Sequence, residues 1–209
     1  ALQAITSAPL QIDTSDYETM ERVLRLYNGK PLLNSVSGKD ESLAKVLPLV
    51  KKYGAVVVGL ALDDDGIPAT AAGRLAIAEK IIARAAEYGI EKRNIIIDPL
   101  ALTISTGPDN AAVDLEVIRK LAEQKIKTIM GVSNISFGLP SRDAVNSTFF
   151  TLAMEAGLSC AIINPQSKAM LDAYYAYRAL KGLDEGCTAY VKRFADSGNK
   201  VPAAAVSEY

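Results

Sequence analysis

AVVVGLAL (55–62) and NIIID (94–98) decide the fold. Each is a short, β-branched and nearly continuous apolar run, the composition of a strand buried on both faces. Between them Ala78, Ile81, Ile82 and Ala85 recur at helical spacing, and Gly89 stands just beyond as a helix stop. A buried strand, a helix and a second buried strand make a parallel βα unit. The same alternation extends outward in both directions. APLQID (8–13) and KPLLNS (30–35) precede, and KTIMGVS (127–133) and CAIINP (160–165) follow. Helical stripes fill the gaps: Met20, Val23, Leu24 and Tyr27; Leu43, Val46, Leu47 and Val50; Leu115, Ile118 and Leu121; Val145, Phe149 and Leu152; Leu171, Tyr174 and Tyr175. Ser15 with Glu18 has the spacing of a capping box at the first helix.

Tandem βα units with no break in composition predict one α/β domain. An open doubly wound sheet would often carry a GxGxxG turn after its first strand, and none is present. The expected architecture is therefore a (β/α)8 TIM barrel. ALQAIT (1–6) reads as the tail of a helix, so the first two βα units of the barrel are expected to be absent from this chain. The opening Ala1, in place of Met, fits a fragment or processed product. The barrel domain is assigned to 1–182, and 183–209, with its Ala-rich end, to a C-terminal helix or linker.

At 209 residues the chain is long enough for one core of its own, and 49% hydrophobic composition makes it globular. Its 23 basic and 24 acidic residues leave a net charge of -1, which gives no reason to expect nucleic acid or an anionic membrane as partner. Charges interrupt every apolar run before it could span a bilayer. Cys160 and Cys187 have no metal-ligand spacing and read as reduced thiols of a cytoplasmic protein. With no histidine, a His base, a Ser-His-Asp triad and a His-based zinc site are all excluded.

Polar residues at the ends of apolar strands need a reason. Asp13, Asn34, Asp98 and Asn134 each fall at or just past such an end, and a βα barrel gathers those ends at one mouth, where its active sites lie. Each also has a structural reading: Asp13 as a helix cap, Asn34 as a turn residue, Asp98 before Pro99 as an Asx turn, Asn134 as a loop cap. Two acceptor-only carboxylates and two amides suit a pterin edge, which offers an amino group and a ring N–H beside ring acceptors. DDDG (63–66) lacks the remaining ligands of a calcium loop and reads as a turn. GVSNISFG (131–138) lies where many barrels bind phosphate. Arg142 is a candidate contact for a ligand carboxylate, or a surface residue at a helix start. Tyr174, Tyr175 and Tyr177 read as helix packing.

IDTSD (12–16), LLNSVSG (32–38), GIPAT (66–70), IIIDPLAL (95–102), GVSNISFGLPSR (131–142) and GLSCAIINP (157–165) together resemble the pterin-binding methyltransferase family. That family includes the folate module of cobalamin-dependent methionine synthase, which the chain resembles more, and the methyltetrahydrofolate:corrinoid/iron–sulfur protein methyltransferase. The resemblance runs in order to about residue 180 and implies a (β/α)8 barrel with 5-methyltetrahydrofolate as substrate at its mouth. Asp13, Asn34 and Asp98 match the pterin-contacting positions, Gly131 and Ser133 the loop beside the ring, and Asn134 the amide that hydrogen-bonds near N5 and carries catalysis. The implied methyl acceptor is cob(I)alamin, held by a corrinoid domain or protein outside this chain. The family's first two strands, with a further acidic pterin contact, are not in this sequence. Dihydropteroate synthase, the alternative enzyme of the same barrel type, usually has Ser-Arg-Lys after a late strand, where this chain has Ser133, Asn134 and Ile135. A non-catalytic folate-binding scaffold is the alternative outside enzymes. A sugar-phosphate barrel is disfavoured for want of a clear phosphate loop and a catalytic Lys or His.

Overall fold

A computed structural model describes residues 2–195. Six strands, β1 (Gln11–Asp13), β2 (Leu32–Ser37), β3 (Val56–Leu60), β4 (Ile95–Asp98), β5 (Lys127–Gly131) and β6 (Cys160–Ile162), alternate with α1 (Tyr17–Leu26), α2 (Asp40–Tyr53), α3 (Ala71–Glu87), α4 (Asn110–Glu123), α5 (Arg142–Ala156) and α6 (Lys168–Leu180). A short α7 (Thr188–Phe194) follows, tied to α6 by Arg193 on Asp172 at 3.2 Å. The strands form one sheet in chain order, every neighbouring pair parallel. These are six consecutive βα units of a (β/α)8-type barrel, and β1 and β6 are the two edges of the described sheet. The Ala-rich end of the sequence lies outside the described residues. No helix among the described residues is long and apolar enough to cross a membrane.

Apolar spacing explains the helices. Leu43, Val46, Leu47 and Val50 of α2 are all buried, and Gly54 closes that helix in the left-handed conformation with its N–H on the Val50 carbonyl. In α1, Met20 and Leu24 are buried, but Val23 is exposed. Tyr27 lies past the helix, where its hydroxyl accepts from Leu10 N at 3.0 Å. The cap of α1 is Asp16, not Ser15: its carboxylate accepts from Thr19 N at 3.1 Å and also takes the Thr19 hydroxyl. A charged acceptor one residue nearer the helix displaces the capping box. In α5 the buried stripe is Asn146, Phe149, Phe150, Ala153 and Ala156, and Leu152 faces outward. A polar residue on the core face concealed that stripe.

Strand alternation sets what faces the barrel interior. Ile12, Leu33, Val57, Ile95 and Ile97 pack in the core shared with α1, α2 and α3. Alternate residues point the other way, so Asp13, Asn34 and Asp98 lie on the interior face. On β5, Met130 joins a second core with Phe149 and Phe150, which turns Gly131 inward.

Candidate functional site

Asp13 is the last residue of β1 and stands in register with Asn34 on β2. The Asn34 amide donates to the Asp13 carboxylate at 3.3 Å. Asn34 is not at the end of its strand. The ladder to β3 slips between Asn34 and Val36, and β2 runs on to Ser37. Asn34 therefore ends the regular stretch, and the extension carries Ser35 and Ser37 beside it. Asp13, Asn34, Ser35, Ser37, Tyr17 and Leu60 line one cavity of about 290 Å3.

Asp98 ends β4 in register with Leu60. Its Oδ1 accepts from Leu100 N at 2.8 Å, so the Asx turn is real. The turn occupies one oxygen and leaves Oδ2 without a hydrogen-bond partner among the described residues. Burial pushes the Asp98 carboxyl up to about 6, against the opposing pull of the Leu100 N–H and the Arg74 guanidinium. A carboxyl so placed titrates close to neutrality, as groups at functional sites often do.

The loop beyond Asp98 rests on residues that motif reading did not single out. Arg74, in the first turn of α3, and Asp114, in α4, are both fully buried. Arg74 Nε donates to Pro68 O at 2.9 Å, and its Nη1 to Pro99 O at 2.9 Å, Leu100 O at 3.2 Å and the Asp114 carboxylate at 2.5 Å. Burial pushes the Asp114 carboxyl upward while the guanidinium beside it pulls down. A sequence signal existed. Arg74 shares the buried stripe of Ala78, Ile81 and Ala85, and Asp114 that of Val117, Ile118 and Leu121. Opposite charges on the core faces of neighbouring helices are a pairing signature.

The third part of the rim follows β5. Gly131 ends the strand and a 3-10 turn spans Val132–Ser136, so the run KTIMGVS is strand only as far as Gly131. Asn134 is exposed, with its amide folded over Gly131: a Cβ built there would meet Asn134 Nδ2 at 3.2 Å. Arg142 holds this turn by donating Nη2 to Ser133 O at 2.6 Å and Nε to Ser136 Oγ at 2.9 Å, and Ser136 Oγ donates to Asn146 Oδ1 at 2.7 Å. Arg142 thus serves the loop. Ser133 lines a second cavity, of about 340 Å3, with Arg142, Asn146 and Asn164. The structure therefore pairs Asp13 with Asn34 and Gly131 with Asn134, and it sets Asp98 between those pairs along the sheet.

Two other motifs resolve as structure. Asp63 and Gly66 exchange backbone hydrogen bonds at 3.1 Å, and Asp65 N donates to the Asp63 carboxylate, so DDDG is a turn. Tyr174 packs on the second core and edge-on to Tyr175, while Tyr177 donates to Met154 O at 3.2 Å. Cys160 and Cys187 are free and exposed.

Comparison with known proteins places this geometry. Residues 1–164 match the family described as pterin binding enzyme. The methylcorrinoid:tetrahydrofolate methyltransferase of Eubacterium limosum is 33% identical over 198 residues, 92% of this chain and 73% of that protein. Methionine synthase of Mycobacterium tuberculosis is 33% identical over 177 residues, 78% of this chain but 15% of that longer protein. Among solved structures, dihydropteroate synthase from Xanthomonas albilineans has a TM-score of 0.67 at 22% identity, covering 87% of this chain and 69% of that one. The Coxiella burnetii dihydropteroate synthase with pteroic acid reaches 0.68 at 17% identity, covering 88% of this chain and 70% of that one. At those identities the structural likeness concerns the fold alone. The family match over residues 1–164, most of the chain, means that this chain belongs to the pterin binding enzyme family.

Proposed function

We propose that this chain holds 5-methyltetrahydrofolate by its pterin at the barrel mouth and passes the N5 methyl group to cob(I)alamin borne by a corrinoid domain or protein. The observation that carries the reading is Asp98: a strand-end carboxylate on the interior face, with one oxygen fixed by Leu100 N and the other open to a ligand donor. Asp98 and Asp13 accept from the pterin amino group and ring N–H, and Asn34 supplies an amide to the remaining edge. Gly131 lets the ring approach the backbone, and Ser133 flanks it. The site lies within 1–182, which we take as the barrel domain, with 183–209 as its C-terminal helix and linker.

Asn134 is the proposed catalytic residue. N5 leaves readily only when it gains a proton or a strong hydrogen bond, and a group that binds it more tightly in the transition state accelerates the transfer. The Asn134 amide has no hydrogen-bond partner among the described side chains, so it is free to turn to N5, with the proton drawn from water. The corrinoid supplies the cobalt nucleophile. The named activity of the Eubacterium relative runs from methylcorrinoid to tetrahydrofolate. The same hydrogen bond serves either direction, since both pass through one transition state. The relatives' names support methyl transfer over the dihydropteroate synthase reading, which rests on fold alone.

Calorimetric titration of the chain with 5-methyltetrahydrofolate, with dihydropteroate as competitor, tests the binding half. Methyl transfer to supplied cob(I)alamin, followed by absorbance, tests the other half. Selective binding followed by transfer is expected. A folded sample that binds neither pterin sinks the reading, and binding without transfer reduces the chain to a folate-binding module.

A further inference from the structure

We propose that Arg74 is a positioning residue that fixes Asp98 by clamping the two loops beyond β3 and β4 against α4. The inference takes its ligand from the pterin reading above and its geometry from residues outside that reading. One guanidinium reaches the loop after β3 through Pro68 O, the loop after β4 through Pro99 O and Leu100 O, and α4 through Asp114. The clamp holds the residue next to Asp98, Pro99, by its carbonyl, and it meets Asp98 again at Leu100. Arg74 holds its carbonyl, and Asp98 itself holds its N–H.

Stability alone does not account for this arrangement. A buried ion pair is often no better than well-packed apolar residues of the same volume. This pair also leaves Arg74 Nη2 and Asp114 Oδ2 buried without a partner, an added cost in a low-dielectric interior. The clamped loop holds Leu100 at φ 66°, in the left-handed region that a branched side chain disfavours. Such strain persists where surrounding contacts impose it, and it concentrates at functional sites. An unsatisfied ion pair and a strained backbone thus converge on the loop that carries Asp98. The charged groups acting in this cluster are Arg74 from α3, Asp114 from α4 and Asp98 itself, one cation among two carboxylates.

The test uses the full 209-residue chain. Arg74→Met with Asp114→Leu replaces both charges by apolar side chains, which avoids stranding one of them. Thermal unfolding follows the fold, carbon NMR follows the Asp98 carboxyl titration without ligand, and calorimetry follows 5-methyltetrahydrofolate. The double variant is expected to unfold at or above the wild-type midpoint. Its Asp98 titration moves upward, because the facing cation and the imposed Leu100 hydrogen bond are both lost. Its folate affinity falls roughly tenfold or more, as displaced site groups show. A wild-type chain that binds no folate, beside a variant whose Asp98 titration still moves upward, refutes the pterin reading and leaves the clamp standing. A folded double variant with an unmoved Asp98 titration overturns the clamp, whatever the chain binds.

Discussion

The loops after β4 and β5 are each held by an arginine, in opposite surroundings. Arg74 is fully buried and bonds three carbonyls and a carboxylate, whereas Arg142 is exposed and bonds one carbonyl and one hydroxyl. Water screens and competes for the second set and not the first, so the same functional group gives a fixed loop in one place and a compliant one in the other. The fixed loop carries Asp98, which we assign to ligand binding. The compliant one carries Asn134, which we assign to the transition state. A recognition carboxylate gains from rigidity. An amide whose bond strengthens only as N5 departs gains from freedom to follow.

The largest expected effect breaks the buried half. Asp114→Ala leaves Arg74 as an uncompensated buried charge and should lower unfolding stability by about 3–5 kcal/mol in denaturant titration. Arg142→Ala should cost about 1 kcal/mol, the scale of exposed hydrogen bonds. Equal losses would mean that burial does not separate the two loops. Next in size is Asn134→Ala, expected to slow methyl transfer on the order of a hundredfold, as loss of one transition-state hydrogen bond does, with little change in folate affinity. Parallel losses in rate and affinity would remove the transition-state role.

Asp98→Asn is expected to weaken folate binding by about 1–3 kcal/mol, the penalty of a mismatched buried polar pair. The pH response sharpens the same point. Asp98 holds its proton up to about 6 in the folded chain, above the ordinary value of 3.8. Folding therefore loses stability as pH rises from about 4 to about 6 and gains none of it back above that window. Binding runs oppositely, because the ionised carboxylate is the better acceptor: affinity should rise from pH 5 to pH 7. Asp98→Asn should flatten the binding profile and remove only its own share of the stability slope, since buried Asp114 is also raised and keeps its share. A binding slope that survives the substitution would assign it to another group.

Much of this was legible in the chain itself. Continuous β-branched runs such as AVVVGLAL leave little choice but buried parallel strands, and α2 follows its apolar spacing residue for residue. That Asp13, Asn34 and Asp98 share the interior face was legible because strand alternation and parallel order bring such positions to one side. What escaped is polar and buried. Asn146 blurred the stripe of α5, and Arg74 and Asp114 read as ordinary helix charges, since pairing across α3 and α4 spans 40 residues. The slip that carries β2 beyond Asn34 also escaped, because a bulge depends on the partner strand and leaves no local mark.

Gly131 offers a graded adjustment of the chemistry. A methyl group there would press on Asn134 Nδ2 from 3.2 Å, tight enough to move the amide by a few tenths of an ångström without changing any group that reacts. Position 131 is thus where backbone clearance meets the amide we assign to the transition state. In an engineered series from glycine to alanine to serine, the side chain at 131 would crowd both the proposed approach of the ring and the Asn134 amide, so folate affinity and transfer rate would fall together as it grows.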